Sequence, residues 1–145
     1  MSEPWADVVA IEQLLYRYAH ILDRGTAAEA ILLFDPDAVL IVNNVGTETR
    51  YPGSAEVQRW MQTYHYDQAG RIRNMRHKIS APLIDVDGDA ATSVCYMDAD
   101  GVDTSTDRGR LTVGLYEDVF TRSPGGWLIK QRTLIVTDRH HFAAP

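Results

Sequence analysis

The sequence predicts an α+β fold in which three N-terminal helices pack on a strongly curved, mostly antiparallel sheet. A helical apolar repeat runs through the first part of the chain, and strand-like runs separated by turns fill the part from residue 72 onwards. Helices followed by a strand meander are typical of this class. No linker or repeat divides the 145 residues, of which 45% are hydrophobic, so one domain over residues 1–145 is predicted. We expect a ligand cavity between helices and sheet.

The first helix is predicted to begin near Ser2 and Pro4 and to end at Gly25. Serine can cap a helix, and proline is tolerated in the first turn. Glycine accepts the left-handed conformation that often closes a helix. Apolar residues at three- and four-residue steps form one stripe on this helix, at Trp5, Val8, Ile11, Leu15, Tyr18 and Leu22.

A second, shorter helix is predicted from the capping box that begins at Thr26 and to extend through Leu33. Residues 34–37 contain a proline and two aspartates and are expected to break it. Residues 38–42 then form a predicted strand, and residues 43–46 form a turn.

The third helix is predicted to open at Gly53 and Ser54 and to fade over residues 67–70. Its apolar residues recur at helical spacing, at Val57, Trp60, Met61 and Tyr64.

Four strands are predicted after the helices, with a break at Pro82, a hairpin turn at residues 87–88 and another turn at residues 123–126. Residues 98–109 are rich in aspartate, including Asp98 and Asp100, and are expected to form a solvated loop. The predicted strands are residues 72–86, 89–97, 110–122 and 127–137.

His77 is the candidate functional residue that the strand pattern singles out. Residues 73–81 alternate, so that His77 falls on the same face as Met75, Ile79 and Ala81. A buried imidazole needs a hydrogen-bond partner. The best candidate is Asp23, because a carboxylate in the last turn of a helix is disfavoured by the helix dipole unless something compensates it.

If Asp23 and His77 meet, the carboxylate fixes the tautomer of the imidazole and raises its basicity. His77 would then act as a general base and, once protonated, as an acid. Two structural alternatives stay open at this stage. His77 can be a core residue bonded to a backbone carbonyl, and Asp23 can be a solvated residue before a turn.

Composition excludes several other classes of function. The net charge of −6 has no long run of one sign, which argues against nucleic-acid and membrane-surface partners. Neither a membrane-length apolar run nor a signal peptide is recognised, and the lone Cys95 fits a reducing cytoplasm. No metal or cofactor motif is present, and the adjacent pair His140 and His141, in a polar tail, is a weak metal signal.

Several segments resemble SnoaL-like proteins of the NTF2-like superfamily, which implies a cone-shaped α+β fold. Asp23 and His77 match by position an Asp–His dyad similar to that of scytalone dehydratase, bile-acid 7α-dehydratase and hexachlorocyclohexane dehydrochlorinase. Tyr18 matches a tyrosine of the bile-acid enzymes, although helical geometry places Tyr16 closer to the face of Asp23. The matching segments are residues 15–19, 22–25, 33–38, 76–80, 114–118 and 126–129.

The resemblance implies a cofactor-independent dehydratase or isomerase with a catalytic set of Asp23, His77 and Tyr18, no metal, and a small hydrophobic, cyclic substrate. It also implies a homodimer. Val94 stands where scytalone dehydratase has a second histidine, and Val42 stands where that enzyme has a tyrosine. The alternatives are a non-catalytic subunit like the β subunit of ring-hydroxylating dioxygenases, or a ligand-binding module. The expected pocket residues are Val42, Trp60, Met75, Val94 and Tyr116.

Overall fold

The computed structural model describes residues 3–143. Over these residues six strands form one sheet in the order β2-β1-β6-β5-β4-β3, in which β1 runs parallel to β6 and every other pair is antiparallel. This confirms the predicted class, with helices on a curved, mostly antiparallel sheet. The helices are α1 (Pro4–Arg24), α2 (Ala27–Ala30), the 3-10 turn Ile31–Leu33, α3 (Ser54–Met61), the π-helical segment Gln62–Tyr66 and α4 (Asp67–Ala69). The strands are β1 (Phe34–Asn44), β2 (Thr47–Pro52), β3 (Ile72–Asp87), β4 (Ala90–Asp103), β5 (Arg108–Ser123) and β6 (Gly126–Phe142).

Helix α1 buries most of its predicted stripe against the sheet. Ile11, Leu15, Tyr18 and Leu22 are buried, whereas Trp5 in the first turn is 66% exposed. The N-terminal cap position is Glu3, which makes no side-chain cap bond, and Ser2 lies outside the described residues.

Gly25 follows α1 as predicted, but for a different reason. Its φ of −107° is an extended conformation that other residues adopt. A Cβ atom added at Gly25 would lie 2.9 Å from the carbonyl oxygen of Ile21 and 2.8 Å from its Cγ2. Close approach, and not the left-handed cap, therefore requires glycine here.

The segment between α2 and α3 corrects two expectations. Residues 34–37 end the second helix as predicted, but they already belong to β1, which was expected to begin at residue 38; residues 47–52 form β2, which sequence analysis missed. Strand β2 lies at the sheet edge and is mostly exposed, so it lacks the alternation that marks a half-buried strand. The turn predicted at residues 43–46 joins the two strands.

The long strands continue beyond their apolar residues into polar segments. The predicted loop over residues 98–109 is wrong, because β4 continues to Asp103 and pairs with the start of β5. The polar tail after Thr137 continues β6 and pairs with Gly109 through Val113. These segments are polar because they extend beyond the core.

The predicted break near Pro82 is a bulge in β3. The pairing of β3 with β4 shifts between Ser80 and Leu83, and Ala81 has a φ of 50°. Ala81 is therefore exposed in the bulge and does not share the inner face with His77. The hairpin turn falls one residue later than predicted, at residues 88–89.

None of the helices between residues 3 and 143 combines the length and the apolar character that a membrane crossing requires.

Candidate functional site

A cavity of about 710 Å³ lies between the helices and the inner face of the sheet. This volume falls within the range of small-molecule sites, roughly 300–1,000 Å³. Its inner part is lined by Tyr18, Leu22, His77, Tyr116 and Arg132. Its outer part is lined by more polar groups, among them Asn44, Thr47, Arg110, Thr112 and Arg139.

Asp23 and His77 are in contact, as the strand pattern and the helix end suggested. Nδ1 of His77 lies 2.6 Å from Oδ1 of Asp23, and the backbone N–H of His77 donates to both carboxylate oxygens at 3.1 Å. The two side chains are only 11% and 13% exposed. Because a carboxylate only accepts hydrogen bonds, Nδ1 carries the hydrogen, and in the neutral ring Nε2 keeps its lone pair.

The π-helical segment places two further side chains on the end of α1. Nε2 of His65 donates to the carbonyl oxygen of Leu22 at 2.6 Å, and the hydroxyl of Tyr66 donates to that of Ile21 at 2.8 Å. These bonds satisfy carbonyl groups that a helix end leaves without partners. The helix terminus that carries Asp23 is therefore fixed from the side of the cavity.

His65 also packs against His77, with ring centroids 5.3 Å apart at 71°. Burial lowers the pKa of His65, and a positive charge on His77 would lower it further. His65 is therefore held neutral beside His77. Sequence analysis missed His65, because the π-helical turn shifts the helical spacing by one residue and no pattern marked it.

Arg132 is a second residue that sequence analysis missed. It is fully buried, and its Nε and Nη2 donate to the two oxygens of Asp118 at 2.7 and 2.8 Å. Its guanidinium carbon lies 4.3 Å from the ring centroid of Tyr18 and 3.9 Å from that of Tyr116. Within residues 3–143, Nη1 of Arg132 is buried without a hydrogen-bond partner.

The protonation states around Arg132 follow from burial and charge. Burial alone would lower the pKa of Arg132, but the adjacent Asp118 raises it, so the group is a permanent cation. Burial raises the pKa of both Tyr18 and Tyr116, and the charge of Arg132 only partly offsets this. The inner cavity therefore combines a fixed cation with two neutral phenols.

Four of the five expected pocket residues line the cavity, namely Val42, Trp60, Met75 and Tyr116. Val94 does not, and this expectation is corrected. Ala91, Ser93, Cys95 and Met97 are the buried residues of β4, so the strand phase places Val94 on the outer face. Tyr18, which is on the apolar stripe of α1, lines the cavity, and Tyr16 does not.

The outer part of the cavity has a carboxylate that is already paired. Asp100 accepts from Arg76 at 3.1 and 3.2 Å and from Lys78 at 2.9 Å. The hydrogen bond from Lys78, followed by that from Arg76, lowers the pKa of Asp100. The predicted solvated loop thus begins as a paired strand segment, in which Asp100 is bonded to two cations of β3.

His140 and His141 lie on the exposed end of β6, opposite Leu111 and Arg110. The described residues contain no group of three or more histidine, cysteine or acidic side chains arranged to hold a metal ion. Cys95 is buried, and burial raises its pKa to about 11, so the thiol is unreactive at neutral pH.

Comparison with known proteins relates this chain to one family. The model of the family described as SnoaL-like domain matches residues 3–133. An uncharacterised protein of Mycobacterium tuberculosis (strain H37Rv) is 30% identical over 132 residues, which cover 88% of this chain and 83% of that protein.

Two solved structures share the fold. An NTF2-like protein with a cystatin-like fold from Novosphingobium aromaticivorans has a TM-score of 0.74 at 23% identity, over 92% of this chain and 84% of that one. Hexachlorocyclohexane dehydrochlorinase LinA-type3 from Novosphingobium barchaimii has a TM-score of 0.79 at 15% identity, over 97% and 93%.

Proposed function

The chain belongs to the SnoaL-like domain family, and we propose that it is a cofactor-independent lyase or isomerase that acts by acid–base elimination. The family and the structural neighbours support a lyase-type or ligand-binding role. The observation that carries the finer proposal is the 2.6 Å contact of His77 with Asp23 at the wall of the cavity. A neighbour of the same fold is named a dehydrochlorinase, so the fold accommodates elimination.

In the proposed reaction, Nε2 of His77 takes a proton from a carbon of the substrate. The electron pair of that C–H bond forms a double bond, and the bond from the adjacent carbon to the leaving group breaks. Asp23 stabilises the imidazolium that forms, because its carboxylate faces Nδ1–H. The imidazolium then returns its proton to the leaving group or, in an isomerisation, to another carbon.

Arg132 and Tyr18 have the properties needed to stabilise an oxyanion on the substrate. Removal of a proton next to a carbonyl group places negative charge on the carbonyl oxygen, and fixed donors in a dry site stabilise such charge. Nη1 of Arg132 is a buried donor without a partner in residues 3–143, and Tyr18 is a neutral phenol at the same wall. A substrate carbonyl oxygen would complete the hydrogen bonds of Arg132.

The test is a substrate screen with matched variants. Cyclic β-hydroxy ketones and ring compounds with a halogen leaving group are incubated in D₂O, and α-deuteration and alkene formation are followed by NMR. His77→Ala and Asp23→Asn should each abolish or strongly reduce both signals. Asp85→Asn, an exposed change on the same strand as His77, is the control. Full activity in both dyad variants would rule out this mechanism.

A ligand-binding module without turnover is the second candidate, and the size of the cavity favours it. A ligand that binds the folded state raises the melting temperature whether or not it reacts. Stabilisation by compounds that are never converted, equal in the wild type and in His77→Ala, would support this reading over the enzyme.

We also propose that the chain forms a homodimer through the outer face of its sheet. Tyr96, Leu115 and Ile135 are aligned across β4, β5 and β6, and Leu83 lies opposite Val94. Leu83 is 72% exposed and Tyr96 is 59% exposed. An apolar stripe of this kind is unfavourable in water and self-complementary across a two-fold axis.

The cytoplasmic location of the protein stays a prediction.

A further inference from the structure

Two arginines form a cationic wall on the far side of the cavity from His77. Arg139 pairs with Thr112, Thr112 with Ala99, and Ala99 with His77, so these four residues form one row across four strands. Three strand spacings correspond to about 14 Å between the Cα positions of His77 and Arg139. Arg110 lies two positions from Thr112 on the same strand and therefore on the same face.

The position of Arg139 depends on a bulge. Val113 pairs with Asp138 and Gly114 with Val136, which leaves Thr137 as an extra residue in β6. Arg132 and Arg139 are an odd number of positions apart and would point to opposite faces of a regular strand. The bulge reverses the phase, so both side chains line the cavity.

The negative charges near this wall leave it with a cationic surplus. Asp100 is paired with both Arg76 and Lys78. Asp103 attracts Arg110 weakly, but its carboxylate is bonded to the backbone and hydroxyl of Ser105. No acidic side chain among the described residues forms an ion pair with Arg110 or Arg139 within 4.0 Å.

Nη1 of Arg139 donates to Oδ1 of Asn44, which orients its guanidinium at the cavity wall without neutralising its charge. Like charges on neighbouring strand positions are unfavourable unless an anion lies between them. A planar guanidinium matches a carboxylate, which can accept two parallel hydrogen bonds. The chain as a whole carries a charge of −6, so an anion would approach the cavity only if local cations attract it.

We propose that the substrate is a small cyclic carboxylate whose acid group binds between Arg110 and Arg139 while its ring lies against His77. This inference deepens the proposed function and rests on it for the position of the reacting carbon. The side chains of His77 and Arg139 reach inward from the two ends of the row. The distance left between them suits one substituted ring. Apolar residues that line the same cavity, Val42, Trp60 and Leu134, would contact that ring.

The experiment compares acids with their neutral isosteres. Benzoate and cyclohexanecarboxylate, and the corresponding amides, are titrated into the wild-type protein, and dissociation constants are measured from NMR shifts that include the arginine Nε–H signals. The variants are Arg110→Gln and Arg139→Gln. Arg108→Gln, an exposed position on the same strand that does not line the cavity, is the control with the same charge change. His77→Ala is titrated in parallel.

The acids should bind at least about tenfold more tightly than the amides, and each arginine variant should remove about tenfold of that affinity, the scale of one charge-assisted hydrogen bond. The affinity of the acids, but not of the amides, should fall as salt is added. This last measurement needs no variant and keeps the proposal testable if a substitution disturbs folding.

Equal affinities for acids and amides, an unchanged affinity in both arginine variants, or no binding of either acid would overturn the carboxylate site. Arginine-dependent binding that persists in His77→Ala, with no turnover of any acid, would support the site and refute only the proposed reaction. Turnover of neutral ketones that depends on His77, without acid binding, would refute only the site.

Discussion

Replacing Asp23 by asparagine is the sharpest test of the dyad, because asparagine keeps the shape of the side chain and removes its charge. In the wild type the carboxylate accepts from the backbone N–H of His77 through both oxygens and from Nδ1 of the same residue. An amide has only one oxygen acceptor. If the backbone N–H keeps that oxygen, the amide NH₂ faces Nδ1, and the imidazole must move its hydrogen to Nε2.

The expected loss of activity follows from the charge that Asp23 supplies. A hydrogen bond to a charged group contributes about 1.5–3 kcal/mol, and two unit charges about 4 Å apart interact by about 4 kcal/mol at an effective dielectric constant near 20. The two side chains are about nine-tenths buried, so solvent screens this interaction only partly. A loss of about 2–4 kcal/mol of transition-state stabilisation lowers kcat/KM by roughly 30- to 1,000-fold.

The assay has two parts, one of which needs no substrate. The ¹⁵N chemical shifts of His77 report which ring nitrogen carries the hydrogen. We expect Nδ1–H in the wild type, a shift towards Nε2–H in Asp23→Asn, and no change in the control Asp85→Asn. Once a substrate is found, kcat/KM is measured for the same three proteins.

The reasoning fails if Asp23→Asn keeps both the Nδ1–H tautomer and its activity. It also fails if the wild type already carries its hydrogen on Nε2, because His77 could not then act as the base through that nitrogen. The melting temperature distinguishes a loss of activity caused by the missing charge from one caused by unfolding. We expect the melting temperature of Asp23→Asn to stay close to that of the wild type.

Three further outcomes are expected. Arg132→Met should lower the free energy of unfolding by about 3–5 kcal/mol, because Asp118 then stays buried without its partner; the double variant Arg132→Met/Asp118→Leu should recover most of this loss in urea denaturation. Burial lowers the pKa of His65, so the unfolded chain takes up this proton first and stability should fall as the pH drops below about 6.5. His65→Gln should flatten that slope, measured from pH 7 to 5, by up to about 1.4 kcal/mol per pH unit. Tyr96→Arg should convert a dimer to a monomer in light scattering, whereas an unchanged mass would exclude the outer face as the interface.

The fold could be predicted where the chain repeats one period over many residues. The apolar stripe of α1 and the alternation of β3 both have this property, and they indicate which faces are buried. Strand β2 and the distal parts of β4, β5 and β6 could not be predicted this way, because they extend past the core and have no buried face to mark. That the whole chain is one domain stays a prediction.

The site was only partly predictable, for the same physical reason. His77 follows from the phase of one strand, and Asp23 from the end of one helix. The resemblance misplaces Val94, because the phase of β4 follows from the buried residues of that strand, Ala91, Ser93, Cys95 and Met97. The position of the His65 side chain depends on a π-helical turn. Such a turn adds a residue to the helix, and the amino-acid composition gives no sign of it.

Arg132 shows why irregularities of the strands decide what the cavity contains. Trp127 and Ile129 are buried in β6, so continued alternation would bring Gln131 inside and leave Arg132 in solvent. Val119 pairs with Gln131 and Phe120 with Ile129, which leaves an extra residue in β6 and reverses the phase. A full positive charge is thereby placed in the core, where it would be costly without Asp118 and the two tyrosine rings. The fold thus buries an ion pair whose arginine has its Nη1 without a hydrogen-bond partner among residues 3–143, which is why we place the oxyanion of the substrate there.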